Sequence, residues 1–169
     1  MTYIVVDIEA DGPIPGDYSM VAIGAIVVES ALDRVFSARL KPISERFVSY
    51  ALAVSGYTRE QTLAFDDPKA VMERFAAWLG PIENPVFISD NNGFDWMFVC
   101  WYFHHFTGGC PFGFSSQNIG SLFKGLAQDM RSSFKRLRKT KHTHDPVDDA
   151  RGNAEALLHM RDQMGLKGM

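Results

Sequence analysis

Cysteine is scarce in this chain of 169 residues. Cys100 and Cys110 are the only two, with no C-x-x-C pair, which argues against a zinc ribbon or a redox dithiol. Two reduced thiols are the simpler reading. Long apolar runs are also missing. No stretch approaches the roughly 20 residues of a membrane helix, and the apolar residues ahead of Asp7 are too few for a signal-peptide core. A cytoplasmic protein with no membrane partner is the expectation. An excess of one charge is lacking too: 17 Lys and Arg against 20 Asp and Glu leave a net charge of −3. Such a surface offers nucleic acid no global attraction, so phosphate binding would need a local patch or bound cations. There is no internal repeat, low-complexity tract or linker, and the length suits a single domain over 1–169.

What is present is an alternation of element signals. "YIVVDIE" (3–9) reads as a buried strand that runs into the Pro/Gly loop "DGPIPGDY". "MVAIGAIVVE" (20–29) and "RVFSARLK" (34–41) read as second and third strands, and their short connections favour an antiparallel meander. Thr58 with Gln61 three residues on marks a capping box for a short helix. Pro68 and Gly80 bracket an amphipathic helix. A strand "PVFIS" (85–89) precedes a helix over 94–106, and a weaker strand and helix occupy about 112–129. A final helix spans 145–165, with Asp145 as its cap, Pro146 at its first position and Val147, Ala150, Ala154, Leu157 and Leu158 on its apolar face. The expected fold is therefore α/β, a mixed sheet with helices on its faces.

The acids raise the functional question. Asp7 and Glu9 are two apart in a strand, so they share a face about 7 Å apart along the backbone. Two like charges there repel unless a cation lies between them. Asp95 lies just past a strand, near a helix start, and His144 and Asp149 flank the start of the final helix. Strand ends and helix starts are where α/β proteins gather their sites. Taken singly, each has a plain structural reading: a solvated strand end, a helix cap, a surface histidine.

Taken together and in order, these segments resemble the DEDD exonuclease superfamily, and within it the DEDDh subgroup of proofreading exonucleases, RNase T and oligoribonuclease. "DIE" (7–9) matches the first motif, "NNGFD" (91–95) the second and "HDPVDD" (144–149) the third. There are departures: "DIEADG" lacks the Thr pair that often follows the first motif, Asp90 replaces a frequent histidine, and Ser55 stands where many members carry His. The resemblance implies a ribonuclease H-like five-stranded mixed sheet flanked by helices. It also implies a metal-dependent 3'-to-5' exonuclease that releases nucleoside 5'-monophosphates from single-stranded RNA or DNA.

By the same resemblance Asp7, Glu9, Asp95 and Asp149 hold two Mg²⁺ or Mn²⁺ ions and His144 serves as general base. Hard divalent cations take such carboxylate oxygens, and an imidazole suits proton transfer near neutral pH. The small stand-alone size leans toward RNA and is compatible with a homodimer. Asn91, Met20 and Lys139 are the expected substrate contacts, Lys139 within the basic run "RSSFKRLRKTKHTH" (131–144). The aromatic stretch Trp96–Phe103 reads more readily as core than as a base-stacking platform. Two other readings stand beside the nuclease: a non-catalytic nucleic-acid-binding module on the same fold, and a ribonuclease H-type endonuclease, which the His-x4-Asp pattern fits poorly.

Overall fold

Strand β1 (Thr2–Ala10) runs through the centre of the sheet in the computed structural model, which describes residues 1–168. It is flanked by β2 (Met20–Val27) on one side and β4 (Pro85–Ser89) on the other, with β3 (Val35–Arg39) and the three-residue β5 (Ser116–Asn118) at the edges. The order is β3-β2-β1-β4-β5. β1, β2 and β3 pair antiparallel, as their short connections require, while β4 and β5 run parallel to β1 after helical crossovers. This is the mixed five-stranded sheet expected from the sequence.

Alternation along β1 divides the molecule into two cores. Ile4, Val6, Ile8 and Ala10 point into one, packed against α3 (Pro68–Leu79) and α4 (Asn92–Thr107). Val5 points into the other, shared with α5 (Ile119–Ala127) and α6 (Pro146–Met164). Asp7 and Glu9 continue the Val5 face and so project toward the start of α6. A strand's period of two therefore puts these acids on the α6 face of the sheet.

Gly24 makes that approach possible. It is the β2 residue opposite Asp7, and a Cβ placed on it would lie 2.4 Å from the Pro146 carbonyl carbon and 2.6 Å from the Val147 nitrogen. Only a residue without a side chain lets the first turn of α6 sit this close to the sheet. Asp145 caps that turn by accepting from the Val147 and Asp148 N–H groups, and Ala150, Ala154 and Leu157 are buried against the sheet.

α2 (Arg59–Leu63) starts at the Thr58–Gln61 capping box. Two short elements escape the sequence signals: α1 (Ser49–Val54), preceded by Val48 with no side-chain cap, and a 3-10 helix over Phe134–Leu137. α4 begins at Asn92, two residues earlier than its apolar run suggests, and buries Phe98, Tyr102 and Phe103 completely. The aromatic stretch is thus mainly core. Both cysteines are free and half-buried. Among the described residues no helix is long and apolar enough to cross a membrane.

Candidate active site

The carboxyl ends of β1 and β4 and the amino ends of α4 and α6 meet at one cleft of about 470 Å³, lined by Asp7, Glu9, Asn91, Asp95, Lys135, Arg138 and His142 among others. Asp7, Glu9 and Asp149 each present an oxygen within 4.8 Å of the other two. Asp95, nearly fully buried, comes up from the first turn of α4 on the cleft's other side. Four carboxylates from three distant segments are thereby brought to one place.

Their electrostatics follow from that crowding. Burial raises the Asp7 carboxyl well above the ordinary range, and Asp95, Asp149 and Glu9 push it further, with Arg138 acting against them. Glu9 is pushed up to about 7, first by burial and then by Asp149 and Asp145. Asp95 is also raised to about 7 by burial, against the Ser89 hydroxyl and Ile8 N–H beside it and with the help of Asp90 and Glu9. One Asp95 oxygen, Oδ2, is buried without a hydrogen-bond partner.

This donor set fits a divalent cation. All the donors are hard oxygens, they repel one another without positive charge between them, and one buried oxygen lacks a partner. Asp149 has partners of its own. It accepts from the Thr143 N–H (3.2 Å) and the His144 N–H (3.1 Å), and its Oδ1 lies 2.7 Å from His142 Nδ1.

The two histidines take different positions. His144 sits in the left-handed backbone region, at φ 62°, with Nδ1 3.8 Å from Glu9 Oε1 and about half of its side chain exposed. His142 contacts Asp149 directly, and its ring lies 4.3 Å from that of His144. The third sequence motif contains His144 alone; His142 stands outside it, marked only by the H-x-H spacing of 142–144.

Of the expected substrate contacts, Asn91 is exposed on the cleft wall at the start of α4. Met20 is corrected by the structure. It is fully buried where β2 begins, its N–H donating to the Tyr102 hydroxyl at 2.8 Å, and it offers no surface to a substrate. Lys139 is corrected as well. It lines a separate hollow of about 490 Å³ behind α6, where Glu155 accepts from its backbone N–H. From the same basic run, Lys135 and Arg138 face the cleft instead. Asp90 pairs with Arg138 at 3.1 Å and Lys135 at 3.6 Å, and Arg138 also donates to Asn153.

An apolar recess of about 380 Å³ adjoins the cleft, lined by Ala10, Gly12, Pro13, Val48, Ala51 and Phe94. Its wall is clamped by Asp11, just past the end of β1. Asp11 is fully buried and accepts from the Ser19 N–H (2.6 Å) and from Arg59 (2.9 Å), while the Val48 N–H donates to its carbonyl at 2.7 Å. Burial raises the Asp11 carboxyl, and Ser19 and Arg59 draw it partly back. One residue therefore ties the end of β1 to the entry of α1.

No family model matches the chain. It is 37% identical to the 3'-5' DNA exonuclease Cap18 of Escherichia coli, over 98% of this chain and 94% of that protein. Among solved structures it resembles E. coli exonuclease I in complex with a dT13 oligonucleotide, with TM-score 0.76, 14% identity and 97% of this chain covered. The chain spans only 42% of that enzyme. It also resembles cell-death related nuclease 4, with TM-score 0.76, 17% identity and coverage of 95% of this chain and 64% of that one. At such identities the structural likenesses establish the fold.

Proposed function

The chain belongs to the DEDD exonuclease superfamily, and from that premise we propose that it is a divalent-metal-dependent 3'-to-5' exonuclease acting on single-stranded DNA. The reading is carried by the convergence of Asp7, Glu9 and Asp149 oxygens within 4.8 Å, with Asp95 in the same cleft. DNA is preferred because the relative that matches nearly end to end is named for it. The lean toward RNA rested on chain size, which does not separate the two substrates.

In this reading Asp7, Glu9, Asp95 and Asp149 hold two Mg²⁺ or Mn²⁺ ions. Bound there, the cations would neutralise the carboxylates and stabilise charge on the phosphoryl oxygens and the leaving oxygen. The protein's own groups do the rest. The apolar recess seats the terminal base, and Asn91 lies at the rim where the sugar and phosphate enter. His144 takes the proton of the attacking water as the new P–O bond forms and the bond to the upstream 3'-oxygen breaks, leaving a nucleoside 5'-monophosphate. The recess presents no polar side chain, so it has no group with which to tell one base from another, and all four nucleotides should be released.

The test uses 5'-labelled single-stranded DNA and RNA with Mg²⁺, Mn²⁺ or EDTA, the products resolved by length. A ladder shortening from the 3' end only with metal, and faster on DNA, is the expected result. Binding without cleavage would establish a non-catalytic binding module in its place, and internal cuts an endonuclease.

A further inference from the structure

A second groove, of about 250 Å³, opens beside the cleft between α5 and the 3-10 helix, and the two share Asp90 and Lys135 as a common wall. Its lining includes Lys124 from α5, Arg131 from the turn that follows, Lys135 and Met130. Asp90 is its one acid, and that acid is already engaged by Arg138 and Lys135. Among the described residues neither Lys124 nor Arg131 forms an ion pair. Of the exposed arginines, Arg34, Arg46 and Arg74 each hold a carboxylate at 2.6–2.9 Å, whereas Arg39 and Arg136, outside the groove, hold none among the described residues. Met130, beside the two cations, is 77% exposed.

Two cations without carboxylate partners, Lys124 and Arg131, thus line a trough that shares the Asp90–Lys135 wall with the carboxylate cleft, in a protein whose net charge is −3. A polyanion repelled by the surface as a whole has a local reason to lie here. We propose that the groove carries the sugar–phosphate backbone of the strand upstream of the scissile bond, with Lys124 and Arg131 neutralising successive phosphates and the Met130 thioether meeting a base. The assignment rests on the exonuclease reading for the strand's direction. The groove's affinity for a polyanion does not depend on catalysis.

The test compares the full chain with the double variant Lys124→Gln/Arg131→Gln. Binding of a fluorescein-labelled single-stranded deoxyoligonucleotide is followed by anisotropy in EDTA across 50–200 mM salt. A single-strand contact contributes about 0.7 to the slope of log affinity against log salt, so losing two contacts should flatten it by about 1.4 and weaken binding roughly tenfold or more at low salt. With metal present, KM for the oligonucleotide should rise. Turnover of thymidine 5'-(p-nitrophenyl phosphate), which has no upstream strand, should stay at the wild-type level. Lys139→Gln, behind α6, serves as the off-path control and should leave the slope unchanged. An unaltered slope in the double variant, an equal change in the control, or an equal loss on both substrates would overturn the proposal. If the wild type hydrolyses neither substrate, the exonuclease reading falls, and the anisotropy slopes still decide the groove.

Discussion

His144 and His142 lie side by side at the cleft mouth but make different contacts, and single substitutions separate them. His144 is free of Asp149 on its ring and faces Glu9, so His144→Ala should lower turnover by about 10²–10⁴-fold while Mn²⁺ binding, read by calorimetry, persists. His142→Ala removes a neighbour of Asp149 and should weaken metal affinity more than it lowers turnover at saturating metal. The reverse pattern would exchange their roles.

The crowded acids also have a measurable pH signature. Glu9 and Asp95 keep their protons to about pH 7 in the folded chain but release them near 4 when unfolded. The native state therefore holds more protons across that window. Metal-free stability should be greatest near its acid end and fall as pH rises through 7. Thermal melts in EDTA at pH 5.5 and pH 8 check the direction, and Mg²⁺ or Mn²⁺ should restore much of the loss at pH 8. Asp7→Asn should raise the metal-free Tm at pH 8 and lower turnover by about three orders of magnitude, the scale of a few kcal/mol of lost transition-state stabilisation.

At the scale of elements, the close docking of α6 on β2 at Gly24 controls the site. Gly24→Ala places a methyl group against the Pro146 and Val147 backbone, which no rotamer change relieves. The first turn of α6 must withdraw, carrying Asp149 away from Asp7. Overpacking of this kind costs about 1–3 kcal/mol, and turnover should fall further than stability, as paired melting and activity assays will report. The strands, the capped helices and the helix-start acids were legible because each has a local signal: period-two alternation in β1, Thr58–Gln61, and Asp145 with Pro146. α1 was not, since Val48 caps nothing and its six residues are held by contacts distant in sequence. Met20 and Lys139 were misplaced for a related reason: their settings are decided by Tyr102 and Glu155, 82 and 16 positions away, which no local pattern encodes. Gly24 stood in plain view within "MVAIGAIVVE", yet the need for glycine there arises only when Pro146 arrives.

Across the whole molecule, the Asp11–Arg59 pair joins the end of β1 to the start of α2, just beyond the α1 segment that walls the apolar recess. Asp11 is completely buried and the Arg59 side chain is 16% exposed. Arg59→Met would strand a buried carboxylate, and breaking such a pair costs about 3–5 kcal/mol. Chemical denaturation should show that loss, whereas the double variant Asp11→Leu/Arg59→Met should recover much of it because no charge is left unpaired. A single variant as stable as wild type would show that the clamp contributes little.

The carboxylates also arrive in a fixed order during synthesis. Asp7 and Glu9 emerge first, Asp95 midway, and Asp149 only with α6, the helix whose docking on Gly24 brings it to the others. A chain still being made presents acids that repel one another before Asp149 and His144 have joined them. In the proposed function, activity would then wait until α6 has emerged and closed on the sheet.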